Sequence, residues 1–191
     1  VIMFVLAAFF SILIHELGHA WCMRAFGGRA AIMLHGLGGF AVSDRRFKRA
    51  QEIAVSLAGP VVQILFGLSF VALLMARFDY SSITELQRGL PYKELGVFDN
   101  WLIDVIQVSL IWGIFNLIPI FPMDGGQVLF NLLGPKWQKI TFSVSVIAGA
   151  ILVYLFFTSG MLFGAIFLGV MTYENIKRFR GEPTSSVLFP R

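Results

Sequence analysis

The stretch Ser11-Ile12-Leu13-Ile14-His15-Glu16-Leu17-Gly18-His19-Ala20 lies inside an otherwise apolar run over residues 1–23. A bilayer-crossing helix needs about 20 mainly apolar residues at roughly 1.5 Å each, so the run reads as a membrane span. Three ionisable side chains within five of its residues call for a reason, because each costs about 2.5 kcal/mol or more near mid-bilayer unless it finds a partner. On a helix the i, i+4 spacing sets His15 and His19 on one face, one turn apart, with Glu16 beside that face. Two imidazoles so placed can share a metal ion. The bland alternative, polar glue between packed helices, leaves the coincidence of all three groups unexplained.

The rest of the 191-residue chain agrees with a lipid solvent. Hydrophobic residues make up 57% and charged ones only 14%, against about 25% charged in a soluble domain, and the mean hydropathy is +0.78. A disordered chain, a disulfide scaffold and a nucleic-acid module are excluded by this composition, and the single Cys22 has no partner for an internal bridge. Two further spans are expected at 53–76 and 101–123. A fourth apolar run, 140–173, carries no charge. As one helix it would be roughly 50 Å long against a hydrocarbon core of about 30 Å, so it is expected to fold back at Thr158-Ser159-Gly160 into segments 139–158 and 160–176.

The predicted architecture is an all-α polytopic membrane protein of about five membrane segments. Residues 1–126 form a three-helix core with a small β-hairpin over 29–43, between the first and second segments; 127–180 hold two short C-terminal segments, and 181–191 are a tail. The chain opens on Val1 with an apolar run, so it is expected to lack upstream residues, and no basic region precedes that run as a signal peptide would require. Lys and Arg concentrate in the first loop (Arg24, Arg29, Arg45, Arg46, Lys48, Arg49), before the fourth segment (Lys136, Lys139) and in the tail (Lys177, Arg178, Arg180, Arg191). With five spans these regions share one side, which the positive-inside rule makes cytosolic.

Two histidines leave a zinc ion short of the third protein ligand that a catalytic site uses. The candidate follows Asn116-Leu117-Ile118-Pro119-Ile120-Phe121-Pro122-Met123 in the third span: Asp124, with Gly125 and Gly126 behind it. Pro119 and Pro122 remove backbone donors and forbid a regular helix, and irregular backbone at membrane depth is tolerated where protein or a watery cavity satisfies it. Asp124 and His19 both fall toward the cytosolic side, so the two parts can meet.

At this point the chain resembles the site-2 protease family of intramembrane zinc metalloproteases. That family pairs HExxH on one transmembrane helix with Asn-x-x-Pro-x-x-x-x-Asp-Gly on a later one. Here these are His15-Glu16-x-x-His19 and Asn116-x-x-Pro119-x-x-x-x-Asp124-Gly125. Ser56-Leu57-Ala58-Gly59-Pro60 resembles the Gly-Pro segment of the intervening helix, but many relatives carry Asn three residues after the Pro, where this chain has Gln63.

The resemblance implies Zn2+ held by His15, His19 and Asp124, Glu16 as general base and then acid, and Asn116 as donor to the substrate carbonyl or its oxyanion. Cleaving a membrane helix requires local unwinding and a new partner for the freed backbone. The hairpin edge at Gly38, Gly39 and Phe40 is the candidate, taking an extended substrate as an added strand. The expected activity is regulated intramembrane proteolysis of a membrane-anchored protein in a prokaryotic inner membrane, with the active site toward the cytosol and any regulatory protein or module outside these 191 residues. The alternative is a metal-binding membrane protein that transports or senses ions, which would have no need of Glu16. A peptidase of the prenyl-tail type would take a late Glu as third ligand, and Glu174 is worse placed than Asp124. His35 lacks partner spacing, Cys22 reads as a small hydrophobe, Asp104 as a boundary residue, and Arg45-Arg46-Phe47-Lys48-Arg49 as an anchor to anionic headgroups.

Overall fold

The computed structural model describes residues 1–35, 38–77 and 96–184. In chain order it runs α1 (Ile2–Ala25), β1 (Ala30–His35), β2 (Gly38–Ser43), α2 (Arg49–Arg77), α3 (Val97–Asn116), α4 (Asp124–Leu133), a 3-10 turn (Pro135–Trp137), α5 (Gln138–Thr158) and α6 (Leu162–Arg180). Among the described residues, four helical segments are long and apolar enough to cross a membrane: Ile2–Ala25, Arg49–Arg77, Val97–Asn116 and Pro135–Thr158. The expected fifth segment is also helical, but α6 continues past 176 through Lys177, Arg178 and Arg180. Cations suit a helix C-terminus, and the helix stops only at Gly181, whose φ of +76° is left-handed. The expected turn between the last two segments lies at Ser159-Gly160-Met161, one residue later than the sequence reading placed it.

The chain forms two compact units: 1–46 with 58–115, and 47–57 with 116–191. In the first, α1 presents a buried stripe at Ala7, Ser11, His15 and His19, each one turn after the last, while Phe4, Leu6, Phe9 and Phe10 are exposed. That division is the reverse of a soluble helix. In lipid the apolar face needs no cover, and small and polar residues mark the interior. Gly18 seats α1 against α2: a Cβ there would lie 2.7 Å from the Ala58 carbonyl oxygen and 3.0 Å from Gly59 Cα. The α2–α3 contact is built the same way, with Gly67 facing Ser109 and Gly113 facing Ile64. Leu74, Leu102 and Ile103 form an apolar cluster at the far ends of these two helices, beside the Arg77–Asp99 ion pair at 2.9 Å.

The hairpin expected over 29–43 is present as antiparallel β1 and β2, registered from Ala30 opposite Ser43 to His35 opposite Gly38. Its turn residues, Gly36 and Leu37, lie outside the described residues, as does most of the loop expected after the second span. The base is closed by the Arg29 N–H donating to Asp44 Oδ1 (2.8 Å) and the Asp44 N–H to the Arg29 carbonyl (3.2 Å). Both strands pack on α1.

In the second unit α3 ends at Asn116, ahead of Pro119, which disfavours the α region for Ile118. The segment over 117–123 has no regular structure, and protein groups pair with the backbone at its centre. Ser145 Oγ accepts from the Phe121 N–H (3.0 Å) and lies 3.1 Å from the Pro119 carbonyl oxygen. Asn175 Nδ2 donates to the carbonyl oxygens of Phe121 (2.5 Å) and Met171 (2.9 Å). Phe121 also meets Phe130 at a tilt and Phe142 edge-on, and lies under the Arg178 guanidinium. Arg49 caps the far end of α4 through the carbonyl oxygens of Asn131 and Leu132 at 2.6–2.8 Å.

Candidate active site

His15 and His19 face the same way from consecutive turns of α1. Their Nε2 atoms are 3.0 Å apart and the rings cross at 82°. Both are buried, at 5% and 7% exposure, and so is Glu16, at 5%. The sequence pattern alone brings these three together, because they share one rigid helix.

What fixes the imidazoles is α2, which runs antiparallel to α1 and meets it in a matching four-residue rhythm. Gly59 stands opposite His19: a Cβ at that position would overlap the His19 ring. One turn on, Gln63 stands opposite His15, with Oε1 2.9 Å from His15 Nδ1. A carbonyl oxygen only accepts, so this contact puts the proton on Nδ1 and leaves the lone pair on Nε2, directed at His19. Gln63 Nε2 donates in turn to Ser11 Oγ (2.8 Å), and Ser11 Oγ lies 3.0 Å from Ser109 Oγ on α3. Gln63, Ser11 and Ser109 are all fully buried. Sequence reading noted Gly59 and Gln63 without giving either a task, and passed over Ser11 and Ser109. The signal available was spacing: small or polar residues at 7, 11, 15 and 19 on α1 and at 59, 63 and 67 on α2.

Gly59→Val is expected to force α1 and α2 apart or His19 out of its rotamer. Overpacking of this kind costs about 1–3 kcal/mol, to be read as a lower apparent Tm in detergent. An unchanged Tm would mean that the His19 ring has room to move.

In the second unit, Asp124 is the first residue of α4 and is buried at 8% exposure, where a carboxylate also suits the helix N-terminus. The expected close backbone approach behind it is present. A Cβ at Gly125 would overlap the Leu117 carbonyl, and one at Gly126 the backbone of Ile120 and Phe121. Asn116 is the last residue of α3 and half-buried. Gly38, Gly39 and Phe40 open β2. A two-stranded sheet has one ladder, so each strand keeps one edge outside it. Cys22 and Asp104 are half-buried in α1 and α3.

A helix carrying two converging imidazoles, one of them tautomer-set by Gln63, and a buried carboxylate can bind a divalent cation and handle a proton beside it. The description of peptidase family M50 matches residues 3–102 and 91–159. The chain belongs to this family. A zinc metalloprotease of Methanocaldococcus jannaschii is 34% identical over 130 residues, which are 68% of this chain and 34% of that protein. The putative zinc metalloprotease YwhC of Bacillus subtilis is 28% identical over 65% of this chain and 66% of its own length. Stage IV sporulation protein FB of the same organism is 33% identical over 65% of this chain and 38% of its own. The chain thus spans from about a third to just under two thirds of these relatives. Its fold is similar to that of a solved site-2 protease from Methanocaldococcus jannaschii, with a TM-score of 0.62 and 24% identity over 96% of this chain and 80% of that one. The membership read from HExxH and Asn-x-x-Pro-x-x-x-x-Asp-Gly is borne out.

Proposed function

We propose that the protein is a zinc-dependent intramembrane peptidase that cuts a membrane-anchored substrate protein within or near the bilayer. The observation that carries this is the His15–His19 pair: two buried Nε2 atoms 3.0 Å apart on a membrane-length helix, one of them held in the ligand tautomer by Gln63. Zinc bonds imidazole nitrogen at about 2.0–2.1 Å, which at a tetrahedral angle separates two such nitrogens by about 3.3 Å. The observed spacing fits that edge with a small adjustment.

Asp124 is assigned as the third protein ligand, leaving a fourth position open as a catalytic site requires. When bound, the metal supplies Lewis acidity that lowers the pKa of a coordinated water toward about 7. Glu16, adjacent to His15 and buried, takes a proton from the attacking water and returns it to the leaving amine. Asn116 donates its amide to the substrate carbonyl as negative charge develops there, a contact worth about 3 kcal/mol in comparable oxyanion sites. The β2 edge at Gly38, Gly39 and Phe40 receives the unwound substrate strand, satisfying its backbone. The reading extends to regulated cleavage in a prokaryotic inner membrane with the site toward the cytosol; the prokaryotic source of the relatives and the bias of Lys and Arg toward one side support it.

The test is cleavage of a single-span model substrate by the purified protein in liposomes, with metal content measured alongside. About one zinc per chain is expected for a single site, with cleavage lost on chelation and restored by zinc. Full cleavage by metal-free protein would overturn the proposal.

A further inference from the structure

We propose that Gln63 is a positioning residue that selects the ligand tautomer of His15, and that Ser11 and Ser109 hold its carboxamide the right way round; the inference rests on the zinc-site reading above. A primary amide can face His15 Nδ1 with either end. With Oε1 toward the ring, Nδ1 carries the proton and Nε2 is a lone pair. With Nε2 toward the ring, the imidazole proton moves to its own Nε2 and blocks the position directed at His19. The two states differ by a half-turn of one amide, so something beyond the histidine must choose between them.

The structure places the choice in a buried chain from α2 to α1 to α3. Gln63 Nε2 donates to Ser11 Oγ at 2.8 Å, and Ser11 Oγ lies 3.0 Å from Ser109 Oγ. Having accepted from the amide, the Ser11 hydroxyl has its own hydrogen left for Ser109, so in the Oε1-inward orientation each end of the amide meets a partner. All three residues are at 0% exposure, and a buried polar group left without a partner costs about 1–3 kcal/mol. Ligating histidines elsewhere donate their second N–H to a carboxylate, a backbone carbonyl or water, and losing that partner costs about 10–100-fold in metal affinity. Here a glutamine carbonyl from the neighbouring helix has that place. The reach is set by register, since Gly59 on the preceding turn admits His19 to the same face.

The experiment measures zinc affinity by competition with a chromophoric chelator, and the visible spectrum of the cobalt-substituted protein, for the parent, Gln63→Glu, Gln63→Met and Ser11→Ala. Glutamate can only accept from Nδ1–H, whereas methionine fills similar volume and offers no comparable acceptor. Tautomer selection predicts that Gln63→Glu keeps zinc affinity within a few-fold of the parent, while Gln63→Met loses about 10–100-fold and changes the cobalt spectrum. Ser11→Ala is expected to fall between them. A residue that only packs gives the opposite order, because a buried charge is costlier than an apolar side chain of similar size. Parent-like affinity and spectrum for Gln63→Met would overturn this inference and leave the zinc site standing. A parent that binds no zinc would overturn both.

Discussion

Glu16→Gln is expected to lower the cleavage rate by about 10²–10⁴-fold, the range for loss of a positioned general acid–base group, while zinc content stays that of the parent. The side chains are nearly isosteric, so the packing around a residue at 5% exposure is preserved. What changes is that an amide cannot take a proton from water. The histidine pair is expected to keep its place, because Gln63 holds His15 and His15 faces His19. Cleavage and zinc are therefore expected to separate in this variant, and single-turnover cleavage with parallel metal analysis reads both. Undiminished cleavage would remove Glu16 from the mechanism and favour a water activated by other means. If a transport or sensing activity were found that survived Glu16→Gln and was lost in His15→Ala, the peptidase reading would give way to the metal-binding alternative.

Asp124→Ala is expected to cost more than about 100-fold in zinc affinity, exceeding the loss for an outer partner of a ligand, and to abolish cleavage with it. The carboxylate opens α4, where its favourable interaction with the helix dipole is worth only about 0.3–1 kcal/mol, so the helix is expected to form without it. The segment before it is held independently by Ser145 and Asn175, and the turns behind it by the contact of Gly125 and Gly126 with that segment. Loss of metal in a protein of near-parent Tm is thus the expected signature, measured by chelator competition and thermal unfolding. Parent-like zinc affinity in Asp124→Ala would assign the third ligand to another residue.

Much of this was legible because lipid removes ambiguity. His15, Glu16 and His19 stand out in a span that should hold no charge, and Pro119 and Pro122 announce a broken helix that does end at Asn116. Gly125-Gly126 announced a close approach that the backbone of 117–121 supplies. The end of α6 was harder, since an apolar run shows where lipid could end but not where helical hydrogen bonding does. Lys177, Arg178 and Arg180 continue the helix to a left-handed Gly181.

The sequence by itself determined the membrane helices, the break in the third and the pair of imidazoles on one face, because each is set by residues adjacent along one segment. Only the tertiary structure decided which tautomer His15 holds and how His19 fits, because Gln63, Ser11, Ser109 and Gly59 act across helix pairs. In α1 the apolar residues surround the helix on every side, so hydrophobic periodicity cannot say which face meets a neighbour. The register between α1 and α2 is chosen instead by how closely Gly18 and Gly59 let the two backbones approach.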